Sequence, residues 1–176
     1  MVWLAKLRRI AGDCNGVAAT EAAVVLSFLA IASLNGVELA RWAYTRMQVA
    51  NAAQMAVAAA YKACDTQHLP ATTNCPGLGT AISRSLASTS LGSAVQQDTG
   101  SPIDGYYCIN TSGALVASGT LATHPADCSA AGDGAHAPAN YLTVNVTMAY
   151  TPIASAVTIG SLLPANIKAS GTMRMQ

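Results

Sequence analysis

The sequence predicts an α+β protein in which a long N-terminal helix leads into a small antiparallel sheet. Three observations carry this prediction: an apolar run near the start, a helical pattern that continues beyond it, and strict alternation of apolar and polar residues in two segments near the end. The length of 176 residues suits one domain with an appendage. Only 10% of the residues are charged, far below the share of about a quarter that is usual in soluble domains. The chain is therefore expected to place surface in a membrane or against other subunits.

The apolar run extends from residue 17 to residue 37, and its only formal charge is Glu21. At ~1.5 Å per residue in a helix, such a run can cross a hydrocarbon core of ~30 Å. Basic residues precede it, and these are Lys6, Arg8 and Arg9. Because positive flanks stay on the cytoplasmic side, residues 1–16 are predicted to be a cytoplasmic basic leader and the bulk of the chain to be exported.

A helical pattern continues from Gly36 to Ala63 without a proline and ends in an alanine-rich tail of high helix propensity. Spacings of three and four place four polar residues on one stripe: Glu38, Arg41, Thr45 and Gln48. A second face carries Ala40, Ala43, Tyr44, Met47 and Ala50. Residues 17–63 are thus predicted to form a transmembrane helix that continues as an amphipathic stalk, roughly 70 Å long in all.

Beyond the stalk, residues 64–176 are predicted to form an exported α+β domain that contains disulfides. Its expected elements are a short helix at 79–91, a hairpin of strands 106–110 and 114–118, and strands at 141–150 and 167–175. In the third strand, Leu142, Val144, Val146, Met148 and Tyr150 share one face. The segment from Ser118 to Pro138 is predicted to be a loop.

The chain has five cysteines, and they divide at the membrane. Cys14 lies in the leader, whereas Cys64, Cys75, Cys108 and Cys128 lie in the exported part. Four cysteines permit three pairings. Pairing Cys64 with Cys75 and Cys108 with Cys128 is favoured because each bridge then closes a short loop in an oxidising compartment. Free thiols or a zinc site are the alternative, although no C-x-x-C spacing occurs.

The sequence offers little for catalysis or for cofactor binding. It lacks a Gly-x-Ser-x-Gly elbow, a Ser-x-x-Lys motif and a glycine-rich phosphate loop. A net charge of +1 is too small for a nucleic-acid binder. One loop carries four possible cation ligands in a pattern that matches no known metal motif: His124, Asp127, Asp133 and His136. We therefore expect no enzymatic activity, no metal and no cofactor.

A short motif around the start of the apolar run resembles a motif of a known protein family. Residues 16–21, Gly-Val-Ala-Ala-Thr-Glu, resemble the processing site of class III prepilins of the type IV pilus superfamily. The longer run is similar to the TadE-like family of tight-adherence minor pilins or pseudopilins, in which an apolar helix headed by glutamate leads to a block that matches Gly36, Glu38, Leu39 and Arg41. Two positions depart from the family: Ala22 replaces its usual aromatic residue, and Ser27 replaces a common proline, which predicts an unkinked helix.

The resemblance implies a minor pilin or pseudopilin that takes part in assembly of a tight-adherence pilus. A prepilin peptidase would cut between Gly16 and Val17, and Glu21 would serve assembly by pairing with the new α-amine of a neighbouring subunit. The expected partners are that peptidase, other pilins and the lipid of the bacterial inner membrane. The exported domain would then lie in the periplasm, or at the cell surface within a pilus.

Two other functions stay open on the sequence alone. The first is an exported adhesin held by an uncleaved anchor, with the loop from Ser118 to Pro138 as its contact surface. The second is a secreted enzyme released by ordinary signal cleavage, for which Ala30-Ile31-Ala32 could serve as the peptidase site. Glu21 at the entrance of the apolar run and the absence of a catalytic motif argue against the secreted enzyme.

Overall fold

The computed structural model describes residues 15–64, 66–154 and 158–176. The chain forms two compact units. The helical unit comprises the described residues up to Trp42 together with those of Pro152–Leu163, and the sheet unit comprises Ala43–Thr151 and Pro164–Gln176. The structure thus divides the chain within the long helix, whereas the sequence places the boundary between residues 63 and 64. Residues 1–14 of the predicted basic leader, including Cys14, lie outside the described residues.

Helix α1 extends without interruption over Asn15–Ala63. Its length follows from the absence of proline and from the alanine-rich second half. It is long and apolar enough to span a membrane, and its most apolar 18-residue window is wholly exposed. The prediction of a long N-terminal apolar helix followed by a small antiparallel sheet is confirmed.

The buried and exposed sides of the stalk do not follow the predicted polar stripe. Glu38 and Thr45 of that stripe are buried, whereas Tyr44 and Met47 of the second face are each 59% exposed. The buried side of α1 continues through small and β-branched residues: Val49, Ala52, Ala53, Ala56, Val57 and Ala60. Tertiary packing therefore selects the face with the smallest side chains, because small residues let backbones approach most closely.

The sheet unit contains two further α-helices and five strands. The helices are α2, Ala71–Asn74, and α3, Leu78–Ala87. The strands are β1, Val95–Gln97; β2, Ile103–Ile109; β3, Leu115–Ala117; β4, Ala139–Ala149; and β5, Asn166–Arg174. Short 3-10 helices occur at Thr66–His68, Gly92–Ala94 and Ser129–Ala131, and the helical unit has another at Ile159–Leu162.

Strand β4 organises the antiparallel sheet because it pairs with three other strands. It pairs with β5 from Tyr141 to Ala149, with β2 through its first half and with β1 through its second half. Strand β3 extends the sheet as the hairpin partner of β2. Alternation along β4 places Leu142, Val144 and Val146 in the core at 0% exposure, as the period of two predicts.

Helix α1 lies directly against β5 at a glycine. A Cβ atom added to Gly171 would overlap the carbonyl oxygen of Ala53 and would lie 2.7 Å from its carbonyl carbon. Only the absence of a side chain allows this approach. Gly171 therefore fixes how closely the second half of α1 packs against the sheet.

The observed element boundaries differ modestly from the predicted ones. Strand β2 begins at Ile103, three residues before the expected hairpin strand, and α3 ends at Ala87 instead of Leu91. Strand β1 and helix α2 were not predicted, because segments of three and four residues are too short for a periodic pattern.

Candidate functional site

The first candidate site is the exposed apolar part of α1. Every residue from Gly16 to Leu34 is exposed, including large side chains such as Phe28 at 72% and Leu26 at 64%. A continuous apolar surface of this size is unstable in water and marks a contact with lipid or with another protein.

Three polar side chains in or just after this part of the helix form hydrogen bonds with the helix backbone. The Thr20 hydroxyl donates to the carbonyl oxygen of Val17, and the Ser27 hydroxyl donates to that of Ala23, each at 2.8 Å. The Asn35 amide donates to the carbonyl oxygen of Ile31, also at 2.8 Å. Such back-bonding lets hydroxyl and amide groups enter an apolar medium at little cost.

Glu21 is the only charged residue in this segment. Its side chain is exposed on the helix beside Thr20, Val24 and Val25. In the part of the chain that the structure describes, no cation lies within salt-bridge distance of its carboxylate. A carboxylate in an apolar environment requires a partner, so the geometry leaves Glu21 available to a group from outside the described residues.

The second candidate site lies at the end of the apolar run, where α1 holds a returning segment of the chain. We call this segment the strap and define it as residues 152–154 and 158–163. The Asn35 Oδ1 atom accepts a hydrogen bond from the N–H of Ile159 at 2.7 Å, and the Glu38 carboxylate accepts one from the N–H of Ile153 at 3.0 Å. Since Asn35 and Glu38 lie about one helical turn apart, they hold the strap at two points.

The strap is also ordered by its own contacts. The Thr158 side chain donates to the carbonyl oxygen of Ala154 at 2.7 Å and accepts from the N–H of Gly160 at 3.2 Å. A Cβ atom at Gly160 would lie 2.6 Å from the Cβ of Pro152. Gly160 therefore allows the strap to fold back on Pro152.

The four residues of the block that resembles the family differ in exposure and in contacts. Glu38 is 1% exposed and binds the strap. Leu39 is 49% exposed, and Gly36 and Arg41 are also exposed. Sequence reasoning singled out Glu38 but missed Asn35, whose only signal is a polar amide at the end of an apolar run.

The four described cysteines form two disulfides. Cys64 is bonded to Cys75 with their Cα atoms 5.7 Å apart, and Cys108 is bonded to Cys128 with theirs 5.6 Å apart. This is the pairing of short local loops that the sequence favours. The second bridge joins strand β2 to the loop of 118–138.

The possible cation ligands of that loop do not converge. His136 Nδ1 lies 2.6 Å from the Asp133 carboxylate, whereas the His124 ring packs edge-on against Tyr106 with centroids 4.4 Å apart. The backbone N–H of Ser129 donates to Asp127 Oδ1 at 2.9 Å. Hydrogen bonding from the side chain and the backbone of Ser129 lowers the pKa of Asp127. Among the described residues, no three His, Cys, Asp or Glu side chains are grouped in a way that could hold a metal.

The same loop helps to form a pocket on the sheet unit. The pocket has a volume of about 270 Å³ and lies beside the Cys108–Cys128 disulfide. Its polar and aromatic lining consists of Tyr107, Tyr141, Arg174, Asp133 and His136. The two tyrosine rings meet edge to face with centroids 5.7 Å apart, so the pocket offers aromatic surface next to charged groups.

Comparison with known proteins identifies no relative. No protein-family model, curated protein or solved structure matches this chain.

Proposed function

We propose that this protein is a structural, non-enzymatic component of a bacterial membrane filament of the tight-adherence pilus type, a minor pilin or pseudopilin with a single membrane span. The observation that carries the proposal is the exposed apolar part of α1, in which Glu21 is the one carboxylate without a partner among the described residues. The resemblance of residues 16–21 to a prepilin processing site gives this carboxylate a specific role.

In this proposal a prepilin peptidase removes the basic leader after Gly16. The cut creates an α-amine at Val17, four residues before Glu21. The amine of one subunit then pairs with Glu21 of its neighbour, which neutralises two charges where either alone would be costly. Thr20 and Ser27 need no such partner because their hydroxyls bond to the helix backbone.

Cleavage is tested with two glycine variants of the full chain, expressed together with a prepilin peptidase. Gly16 and Gly36 both lie on α1 with no neighbouring atom within 4 Å of an added Cβ, so the two positions are matched for a glycine-to-leucine substitution. We expect wild type and Gly36→Leu to begin at Val17 and Gly16→Leu to keep its leader, measured by intact mass and N-terminal sequencing. A wild-type chain that begins near Ser33 or retains Met1 contradicts the proposal.

Assembly is tested by Glu21→Ala with Ser27→Ala as the matched control in the same apolar segment. Loss of a desolvated charge partner costs about 3 kcal/mol, which lowers an association constant by more than tenfold. Glu21→Ala should therefore lose co-purification with pilus subunits while its membrane level and disulfides stay normal. Unchanged co-purification would show that Glu21 is only an interfacial residue.

The pocket on the sheet unit favours a second candidate function, adhesion through a small polar ligand. Tyr107 and Tyr141 offer ring surface for stacking, and Arg174 and Asp133 offer hydrogen bonds, a combination that suits a saccharide. Saturation-transfer NMR with neutral and acidic monosaccharides tests this function. Tyr141→Ala should abolish transfer, and Tyr61→Ala, which changes a 45% exposed tyrosine outside the pocket, should not.

A further inference from the structure

We infer that the strap is a second membrane contact, in which Ile153 and Leu162 enter the lipid at the boundary between head groups and acyl chains. The inference rests on the proposed membrane-spanning role of α1 and adds a second element to it. It is carried by the position of the strap along α1, by its exposed apolar side chains and by its lack of charge.

The position of the strap follows from helix geometry. Taking Val17 as the start of the apolar run, Asn35 lies about 27 Å and Glu38 about 32 Å along the axis at ~1.5 Å per residue. A hydrocarbon core is ~30 Å thick. The two residues that hold the strap therefore lie where the hydrocarbon core ends.

The strap exposes apolar side chains where a surface loop is ordinarily polar. Leu162 is 83% exposed, the highest value among the exposed large apolar residues of the described chain, and Ile153 is 60% exposed. They add to the exposed apolar surface of the helical unit, to which Leu34 and Val37 also contribute. In water this exposure is unfavourable, whereas transfer of an apolar side chain from water to an apolar phase is favourable.

The charge and the backbone hydrogen bonds of the strap also suit a lipid interface. The sequence from Pro152 to Leu163 contains no charged residue. The N–H groups of Ile153 and Ile159 are bonded to α1, and the N–H of Gly160 is bonded to Thr158. Satisfied backbone donors are what an interfacial segment requires. Arg41 and Trp42 follow in α1, and these are residue types that favour the head-group region.

Depth measurement by electron paramagnetic resonance tests the inference on the full chain in lipid vesicles at a low protein-to-lipid ratio. In a Cys14→Ser background the paired native cysteines do not react, so single nitroxides can be attached to Ile153→Cys and Leu162→Cys. Val25→Cys in the apolar helix serves as the deep reference, and Ala114→Cys in the exposed hairpin turn of the sheet unit serves as the aqueous reference. Collisions with oxygen and with a water-soluble nickel chelate are compared at each site.

We expect labels at residues 153 and 162 to collide more with oxygen than with nickel, at a depth between those of residues 25 and 114. If both labels match residue 114 while residue 25 is deep, the inference is wrong and the membrane span stands. If both labels are shielded from oxygen and nickel, the strap contacts protein and the inference is again wrong. If residue 25 is itself aqueous, the proposed membrane span fails together with the inference.

Discussion

The two halves of helix α1 have the same secondary structure but opposite surroundings. In the helical unit, all residues from Gly16 to Leu34 are exposed, whereas in the sheet unit Val49, Ala53 and Val57 are each 0% exposed. The second half is stabilised by burial within its own chain. The segment from Gly16 to Leu34 is not covered by any of the described residues, so its apolar side chains are expected to be covered by lipid or by another protein. Mutations in the sheet unit should therefore act on folding, and mutations in the helical unit should act on membrane contacts and assembly.

The strongest test of this contrast is Gly171→Ala. The added methyl group would overlap the backbone of Ala53, and neither backbone can shift without disturbing the core. Overpacking of this kind costs about 3 kcal/mol. Thermal unfolding of the full chain in detergent micelles, followed by near-ultraviolet circular dichroism of the tyrosines, should show a clearly lower midpoint.

The matched control is Gly79→Ala in helix α3, where nothing lies within 4 Å of an added Cβ. Alanine is the better helix former by up to about 1 kcal/mol, so this variant should unfold at or slightly above the wild-type midpoint. Equal midpoints for Gly171→Ala and wild type would mean that α1 does not pack on β5 as described.

A smaller loss is expected from Asp104→Ala. The Asp104 carboxylate accepts a buried hydrogen bond from Asn140 Nδ2 at 2.6 Å and another from the N–H of Thr72 at 3.3 Å, in the first turn of α2. Removing it leaves two donors without this acceptor, at a cost of about 2 kcal/mol.

Asp98→Ala separates this effect from simple loss of charge. Asp98 forms a 3.4 Å ion pair with Lys168 whose side chains are 28% and 67% exposed, respectively. Exposed pairs contribute less than about 1 kcal/mol. Denaturant titration should therefore rank Asp104→Ala well below Asp98→Ala in stability, and the reverse order would refute the proposed hydrogen-bond network.

In the helical unit, Asn35→Ala should release the strap without unfolding the sheet unit. It removes the acceptor of the Ile159 N–H, and a net hydrogen bond of about 1 kcal/mol corresponds to about fivefold in an opening equilibrium. Hydrogen exchange followed by mass spectrometry should show faster exchange in the peptide that contains Ile159.

Ser27→Ala is the control, because the Ser27 hydroxyl donates to its own helix, as the Asn35 amide does, and the structure shows no hydrogen bond between Ser27 and the described strap residues. Its exchange pattern at Ile159 should equal that of wild type. Exchange that is equally fast in both variants would assign the effect to the helix and not to the strap.

The sequence was sufficient where the structure depends on local periodicity. Alternation from Leu142 to Val146 correctly placed these residues in the core, and the long run without proline correctly predicted α1. The local spacing of cysteines likewise favoured the pairing that the structure has. Each of these signals comes from residues that lie close together in the sequence.

The sequence was insufficient where a partner lies far along the chain. The pattern places Glu38 on a polar stripe but does not predict its burial, because one of its partners, the N–H of Ile153, is 115 residues away. Asp104 was overlooked for the same reason, since Asn140 is 36 residues away. A polar side chain in a helical pattern is predicted to be exposed unless the residue that forms a hydrogen bond with it is known. Tertiary contacts therefore determine whether such side chains are buried.

The smallest expected effect is the response of the loop of 118–138 to acid. Hydrogen bonding from the side chain and the N–H of Ser129 favours the ionised form of Asp127 and lowers its pKa below the ordinary value of an aspartate. A carboxylate with a lowered pKa stabilises the folded loop at pH values above its unfolded pKa, and this contribution disappears as the pH falls through the folded pKa.

Because Asp127 is fully exposed, the change should be confined to its own turn. An NMR titration of the Ser129 amide should give a midpoint below that of an aspartate in an unfolded peptide. Ser129→Ala keeps the backbone hydrogen bond but removes the hydroxyl, so the midpoint for Asp127 should rise. An unchanged midpoint in that variant would mean that the hydroxyl does not bond to Asp127.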